Sequence, residues 1–350
     1  MDRPCGVLCN SYAKDMAIVS TRLQWGLLVG GLILLFCSPL FINLQLLSII
    51  NLMAITLIAI QGLNILTGYT GQISLGQAAF MAVGGYTSSI LATRFGLSFW
   101  VTLPCGALSA GLVGVLFGLP SLRVKGFYLA MSTLAAQFII YWVLMHTPQL
   151  GAGPDAVQVS APELGGLKLT SQQNMFYVIM PLAVLATFLT KNLVRTRVGR
   201  AFIATRDNDL AAEVMGINVF SYKLLAFFIC SLFAGAAGAL YGAWARALRP
   251  DYFTLMQSIM YLGMLVVGGI GSTAGAVFGT IFMVGLDQLV TALAPALISI
   301  APQLGLGVTA SISKIVFGLV MVLFLRFEPR GLAHRWELFK ASYRLWPFAY

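Results

Sequence analysis

Of the 350 residues, 59% are hydrophobic and only 9% charged, and the mean hydropathy is +0.89; no water-soluble domain could dissolve that surface or hide it in one core, so lipid is the main solvent. The net charge of +10 is spread over the ends of apolar stretches and not gathered on a polar domain, which argues against nucleic-acid binding. Cys5, Cys9, Cys37, Cys105 and Cys230 have no metal-ligand spacing beyond the wide Cys5/Cys9 pair and read as small hydrophobes.

A helix rises about 1.5 Å per residue and the hydrocarbon core is about 30 Å thick, so apolar windows of roughly 17–25 residues mark candidate spans. In chain order they are Leu23 to Phe41, Leu44 to Leu66, Ser74 to Thr93, Phe99 to Gly118, Phe127 to Met145, Met175 to Thr190, Lys223 to Ala245, Phe253 to Ile270, Ala274 to Leu293, and Thr309 to Leu325. The expected fold is an all-α polytopic membrane protein with about ten transmembrane segments. Asn64, Gln72, Ser74 and Gln77 interrupt the second and third windows, which are the candidates for broken or re-entrant elements. The first window runs into Ser38-Pro39-Leu40 without a small-x-small cleavage site and reads as a retained anchor.

Basic residues concentrate on the cytoplasmic side of a membrane protein. With the N-terminus cytoplasmic, sixteen of the 21 lysines and arginines fall inside: in the segment 1–22, the loop Ser121 to Lys125, the connector 191–222 with Lys223, and the end of the chain from Arg326. Arg94, Lys168, Arg246 and Arg249 fall outside and Lys314 lies within a span. The permease domain is then 23–328, followed by a cytoplasmic tail 329–350, and both termini are cytoplasmic. The outer loop 146–174 is turn-rich and suited to a periplasmic partner. Within the inner connector a short helix is predicted, capped by Asp207 or Asn208, with Leu210, Ala211, Val214 and Met215 as an apolar stripe and Gly216-Ile217-Asn218 as its end.

Neither a Walker A loop nor an H-E-x-x-H pair occurs in the sequence, so ATP cradling and zincin chemistry have no basis here. His146 and His334 read as solvated or interfacial. The stretch Gln61 to Tyr86 is the most distinctive, with six glycines and many small polar residues at membrane depth. Such groups are costly unless protein or water faces them, so they either line a path or form a tight helix crossing.

Asn64, Gly68, Gly71, Gln72, Ser74, Gly76, Ala78, Ala79, Phe80, Gly84, Gly85 and Tyr86 resemble the N-x-x-x-G-x-x-G-Q-x-S-x-G-x-A-A-F-x-x-x-G-A-Y segment of the permease subunits of branched-chain amino acid ABC importers, closer to the LivM type than to the LivH type. Gln77 stands where the family often has His, and Gly85 where it has Ala. Further matches follow in order: Leu119 to Leu134, Gly199 to Asn218, Gly268 to Gly279, and Arg326 with Pro329 to Leu332. Relatives commonly carry an acid after the element that here reads Gln257-Ser258-Ile259, whereas Met260-Tyr261 follows in this chain. Asp287 and Lys314 are the late intramembrane charges, expected either to pair across helices or to face a wet cavity.

The resemblance implies a non-ATPase subunit of a bacterial inner-membrane importer. Its implied partners are a LivH-type sister permease, two cytoplasmic ATP-binding subunits that hold ATP and Mg, and a periplasmic substrate-binding protein. Arg206, Asp207, Asn208, Leu210, Ala211, Ala212, Glu213 and Gly216 become candidate ATPase-coupling residues; Asn64, Gly68, Gly71, Gln72, Ser74, Gly76, Gln77 and Tyr86 are candidates for the path or for tight packing. No cofactor is expected in this chain. Leucine, isoleucine and valine are the implied solutes, with urea, short amides or other amino acids as alternatives. An ion-coupled secondary transporter and a noncatalytic scaffold are the rivals from other classes.

Overall fold

A computed structural model describes residues 22–121, 126–147, 156–159, 162–164, 167–168, 171–300 and 306–345. The segment 1–21, the basic loop 122–125, much of the outer loop and residues 346–350 lie outside the described residues. The helices are α1 (Arg22–Cys37), α2 (Leu44–Leu63), α3 (Gln77–Phe95), α4 (Phe99–Ser121), α5 (Phe127–His146), α6 (Gln172–Arg195), α7 (Arg197–Asp207), α8 (Asp209–Val214), α9 (Val219–Ala245), α10 (Leu255–Gly268), α11 (Thr273–Ile300), α12 (Leu306–Phe327) and α13 (Gly331–Leu345). Among the described residues there are also 3-10 turns at Ser38–Leu40 and Pro250–Phe253, a π-helical turn at Asn64–Tyr69 and four two-residue strands: β1 (Val157–Gln158), β2 (Glu163–Leu164), β3 (Leu167–Lys168) and β4 (Ala247–Leu248).

Each predicted window coincides with a helix, but the expectation of about ten spans is met only in part. Among the described residues, six helices are long and apolar enough to cross a membrane: Leu44–Tyr69, Phe99–Pro120, Tyr128–His146, Gln172–Arg195, Val219–Ala245 and Thr273–Leu293. The physical reasons for the shortfall differ. At fourteen residues, α10 is about 21 Å long, well under a bilayer core. In α3 the apolar run is diluted by Gln77, Gly84, Gly85, Ser88 and Ser89. Leu112, Leu116, Phe138, Trp142, Leu185 and Phe188 are exposed on α4, α5 and α6, an apolar belt that only lipid would solvate.

At the centre α9 packs against α3, α4 and α2. Small residues permit the approach: a Cβ on Gly84 of α3 would collide with the backbone of Gly235 on α9, and one on Gly106 of α4 with the carbonyl of Gly84. Without a hydrophobic force between helices in lipid, such contact is what holds them together. Antiparallel pairing of β1 with β4, Val157 opposite Leu248, brings Val157–Gln158 to the far end of α9 at one end of the bundle. The pair α7 and α8 lies at the other end.

The inner connector is more helical than its polarity suggests. Instead of a loop over 191–222, α6 runs on to Arg195, α7 follows at once and α9 begins at Val219. Thr196 separates the first two, its hydroxyl accepting from the Gly199 N–H at 3.4 Å. The tail, too, is helical from Gly331 to Leu345.

Candidate functional site

Of the two predicted caps for the short connector helix, Asn208 is the one used. Its Oδ1 accepts from the N–H groups of Leu210 at 3.0 Å and Ala211 at 3.1 Å, while Asp207 is the last residue of α7. Gly216 terminates α8 with φ at 82°, a conformation that suits glycine. Ala212 faces inward and is buried, whereas Leu210, Val214 and Met215 are 69%, 87% and 81% exposed. Ala211 and Glu213 are also exposed. The predicted stripe therefore faces away from the bundle, and the helix is tied down from its other side by Asp209, whose carboxylate meets Lys223 of α9 at 2.6 Å.

The polar glycine segment begins where α2 widens into a π-helical turn, Asn64–Tyr69. Asn64 fixes this turn by donating to the Ser272 carbonyl at 3.1 Å and accepting from the Gly271 N–H at 3.0 Å. A side chain on Gly68 would collide with Asn64 and with Gly271. The chain then leaves helical geometry until Gln77, with Gly71 at φ 70°. Ser74 accepts from the Gly76 N–H at 3.3 Å. Gln77 donates to the Ala59 carbonyl at 2.7 Å, and its Oε1 accepts from Cys230 Sγ at 3.1 Å. Within Gln61 to Tyr86, the Oε1 of Gln61, both polar atoms of the Gln72 amide and the hydroxyl of Tyr86 are buried without a hydrogen-bond partner among the described residues.

Arg206 joins the two predicted groups. Its Nη1 donates to the Gly68 carbonyl at 3.1 Å, and Nε and Nη2 donate to Asp207 Oδ1 at 3.1 and 3.0 Å. A Cβ on Gly71 would press on Arg206 Cγ at 2.8 Å, so glycine there admits the arginine stem. Between α7, α8 and the 70–72 turn lies a cavity of about 400 Å³, bordered by Thr70, Gln72, Arg206, Asp209 and Lys223.

A second polar knot lies deep in the bundle. The Gln137 carbonyl oxygen accepts from the Ala79 N–H at 2.9 Å and from the Ser258 hydroxyl at 3.0 Å, and its amide donates to the Phe253 carbonyl at 2.7 Å. Ser258 also accepts from the Ala78 N–H at 2.9 Å. The opening turns of α3 and α10 thus converge on a glutamine midway along α5, with the orphan N–H groups of α3 satisfied by side chains. Towards the β1–β4 end sits a cavity of about 290 Å³ with Asp251 and Asp287 in its lining. Asp287 lies in the lining of this cavity, and Lys314 is exposed on α12.

The family described as branched-chain amino acid transport system / permease component matches residues 45–325. This chain belongs to that family. The high-affinity branched-chain amino acid transport system permease protein LivM of Escherichia coli K12 is 30% identical over 337 residues, which cover 89% of this chain and 76% of that protein. A LivH permease of the corresponding system in Salmonella typhimurium is 25% identical over 65% of this chain and 78% of its own length. The guanosine ABC transporter permease protein NupQ of Bacillus subtilis is 26% identical over 60% of this chain and 71% of its own. No solved structure matches the chain. Members of the family are non-catalytic permease subunits, and this one is a multi-pass inner-membrane protein.

For a LivM-like permease two informative residues lie beyond those the motifs marked: Lys223, which with Asp209 and Gly271 completes the Arg206 junction, and Gln137, which with Ser258 holds the deep knot. Gln137 has a visible signal, a lone amide inside the apolar run Phe127 to Met145. The Asp209–Lys223 pair has none, because its fourteen-residue separation in sequence crosses a helix break.

Proposed function

We propose that the chain is the LivM-type transmembrane subunit of an ATP-driven importer for leucine, isoleucine and valine. It would work with a LivH-type sister permease, two cytoplasmic ATP-binding subunits and a periplasmic binding protein. In this reading all ten predicted windows cross or enter the membrane, α3 and α10 as part-depth helices, with α7, α8 and α13 in the cytoplasm. ATP and Mg belong to the partner subunits, where hydrolysis supplies the driving force.

The contact between Arg206 and the Gly68 carbonyl carries the proposal. The exposed residues Leu210, Val214 and Met215 offer an apolar ridge to a partner groove, with Glu213 beside them. Behind that ridge, Asp209 grips Lys223 on α9 and Arg206 grips the end of the π turn of α2. Displacement of α7 and α8 is thereby transmitted to two central helices at once, as a two-state conduit requires. The Gly-rich crossings of α3, α4 and α9 act as the rigid body against which that motion occurs. A zwitterion with an apolar side chain suits a mostly apolar route, and strong affinity would reside in the binding protein.

Reconstitution of the chain with its sister permease, ATPases and binding protein in proteoliposomes is the test. ATP-dependent leucine uptake is expected, and Arg206→Glu and Glu213→Lys should lower both uptake and stimulated ATP hydrolysis while membrane insertion persists. Coupling unchanged in both variants would remove the docking role.

A further inference from the structure

Two helices bring cations together at the α7–α8 end of the bundle. Lys191 and Arg195 stand one turn apart near the end of α6 and share a helix face, where like charges repel. Lys340 of α13 joins them, close enough that its charge, like that of Arg195, acts on Lys191. The negative end of the α6 dipole accounts for the first two cations but not for a third that arrives on a separate helix. Among the described residues no carboxylate answers the three. Glu328 is held by Arg335, Asp207 by Arg206 and Asp209 by Lys223, and Glu337, exposed on α13, forms no ion pair with any of them.

Beside these charges α13 carries exposed aromatic surface. Its start is fixed where Gly331, at φ 74°, meets the backbone of Gly269 too closely for any Cβ, and Ala333 is buried there. From Arg335 to Ser342 every residue is exposed. Trp336, Phe339 and Lys340 share one face by their spacing. The Trp336 ring meets Phe278 of α11 edge-on at 5.9 Å and stacks on Phe339 at 5.8 Å, while the Lys340 Nζ lies 5.9 Å from its centroid. Trp336 and Phe339 nevertheless stay 46% and 62% exposed. Rings with a lysine at their edge suit the headgroup level of a bilayer, where the apolar part meets acyl chains and the charge meets phosphates.

We propose that Lys191, Arg195 and Lys340 form a site for the phosphate of an anionic phospholipid of the inner leaflet, with Trp336 and Phe339 against its acyl chains. An acidic protein surface would answer the charges but leave the rings in water; a lipid answers both. The site is independent of the transported solute and of the partner subunits, and only its assignment to the inner leaflet follows from the proposed orientation.

The test extracts the full chain from vesicles of equimolar phosphatidylglycerol and phosphatidylcholine and counts the lipid kept on it by native mass spectrometry. Phosphatidylglycerol should be retained at least about tenfold over phosphatidylcholine. Combining Lys191→Gln, Arg195→Gln and Lys340→Gln should lower that preference at least about fivefold, the worth of one basic side chain at a lipid surface. Interchanging the cations instead, with Lys191→Arg, Arg195→Lys and Lys340→Arg, should preserve it, and so should Arg197→Gln with Arg200→Gln, which removes two exposed cations of α7. Equal retention of the two lipids by the wild-type chain overturns the site. An unchanged preference in the neutral variant does so too, and if that variant also loses ATPase capture the cations belong to a protein partner. Loss of preference in the charge-conserving variant, or an equal loss in the α7 control, overturns a defined phosphate site as well. Displacement of phosphatidylglycerol by inorganic phosphate would give the cluster to a soluble anion and overturn the lipid assignment.

Discussion

The Arg206 guanidinium reaches from the end of α7 to the Gly68 carbonyl, 3.1 Å away, and the same planar fork holds Asp207. One group thus spans 138 positions of sequence to connect a surface helix with the bend in α2. Lysine would keep the charge but lose the fork that serves two acceptors in fixed directions. Arg206→Lys should therefore retain membrane insertion and ATPase binding, yet lower uptake per ATP hydrolysed by about tenfold or more, as one lost hydrogen bond of a charged donor implies. Parallel uptake and hydrolysis assays on the reconstituted complex decide the point, and an unaltered ratio counts against transmission through this contact.

Asn208 accepts two backbone N–H groups at the start of α8. Alanine there removes the cap, at a cost of about 1 kcal/mol, and a six-residue helix has little else to hold it. Hydrogen exchange should quicken across 210–214 in the Asn208→Ala chain while α9 remains protected, and ATPase capture should weaken. Asn208→Asp should restore both.

Substituting Gly84 tests the central crossing. Even the alanine Cβ would collide with the backbone of Gly235, where no side chain can turn aside. Overpacking of this kind costs about 1–3 kcal/mol, so Gly84→Ala should lower the thermal midpoint in detergent, and Gly84→Leu should abolish recovery of monodisperse protein. Gly30, which meets nothing within 4 Å, supplies the control: Gly30→Ala should leave the midpoint unchanged.

Gln137 satisfies an N–H of α3, a hydroxyl of α10 and the Phe253 carbonyl. Leucine of similar size would leave the Ala79 N–H and that carbonyl unpaired in a buried site, each at about 1–3 kcal/mol. Gln137→Leu is expected to destabilise the chain more than Gln72→Leu, because the Gln72 amide has no partner to lose. Melting curves of the two purified variants give the comparison.

Orientation can be read chemically. Cysteines placed at Met215 and Lys340 should react with an impermeant maleimide from the same face of the membrane, and one at Tyr252 from the opposite face. Labelling of positions 215 and 252 from one side would contradict the proposed topology.

The apolar windows were legible in the sequence because lipid imposes one rule on every residue of a span, and hydropathy alone expresses it. The connector helix was legible too: an Asn cap, an alternation of small and large apolar residues and a closing glycine are local features, and α8 adopts them. Less could be read where the outcome depends on distant partners. Sequence spacing offered Asp207 and Asn208 equally as caps, and the continuation of α7 through Asp207 decided between them. For the glycine segment the sequence allows a path or a crossing, and only the folded chain brings Gly271 against Gly68 and the stem of Arg206 against Gly71.

What the sequence determined by itself is the solvent and the order and approximate places of the apolar helices, since these follow from composition and near-neighbour chemistry; α7, α13 and the extension of α6 to Arg195 it did not show. Tertiary structure alone decided that α3 and α10 begin at one buried glutamine, that Asp251 and Asp287 share a cavity, and that the surface helices grip α2 and α9. Apart from the Asp209–Lys223 pair, those relationships join residues more than 30 positions apart, and hydrogen bonds of about 3 Å form only once helix packing has fixed which side chains meet.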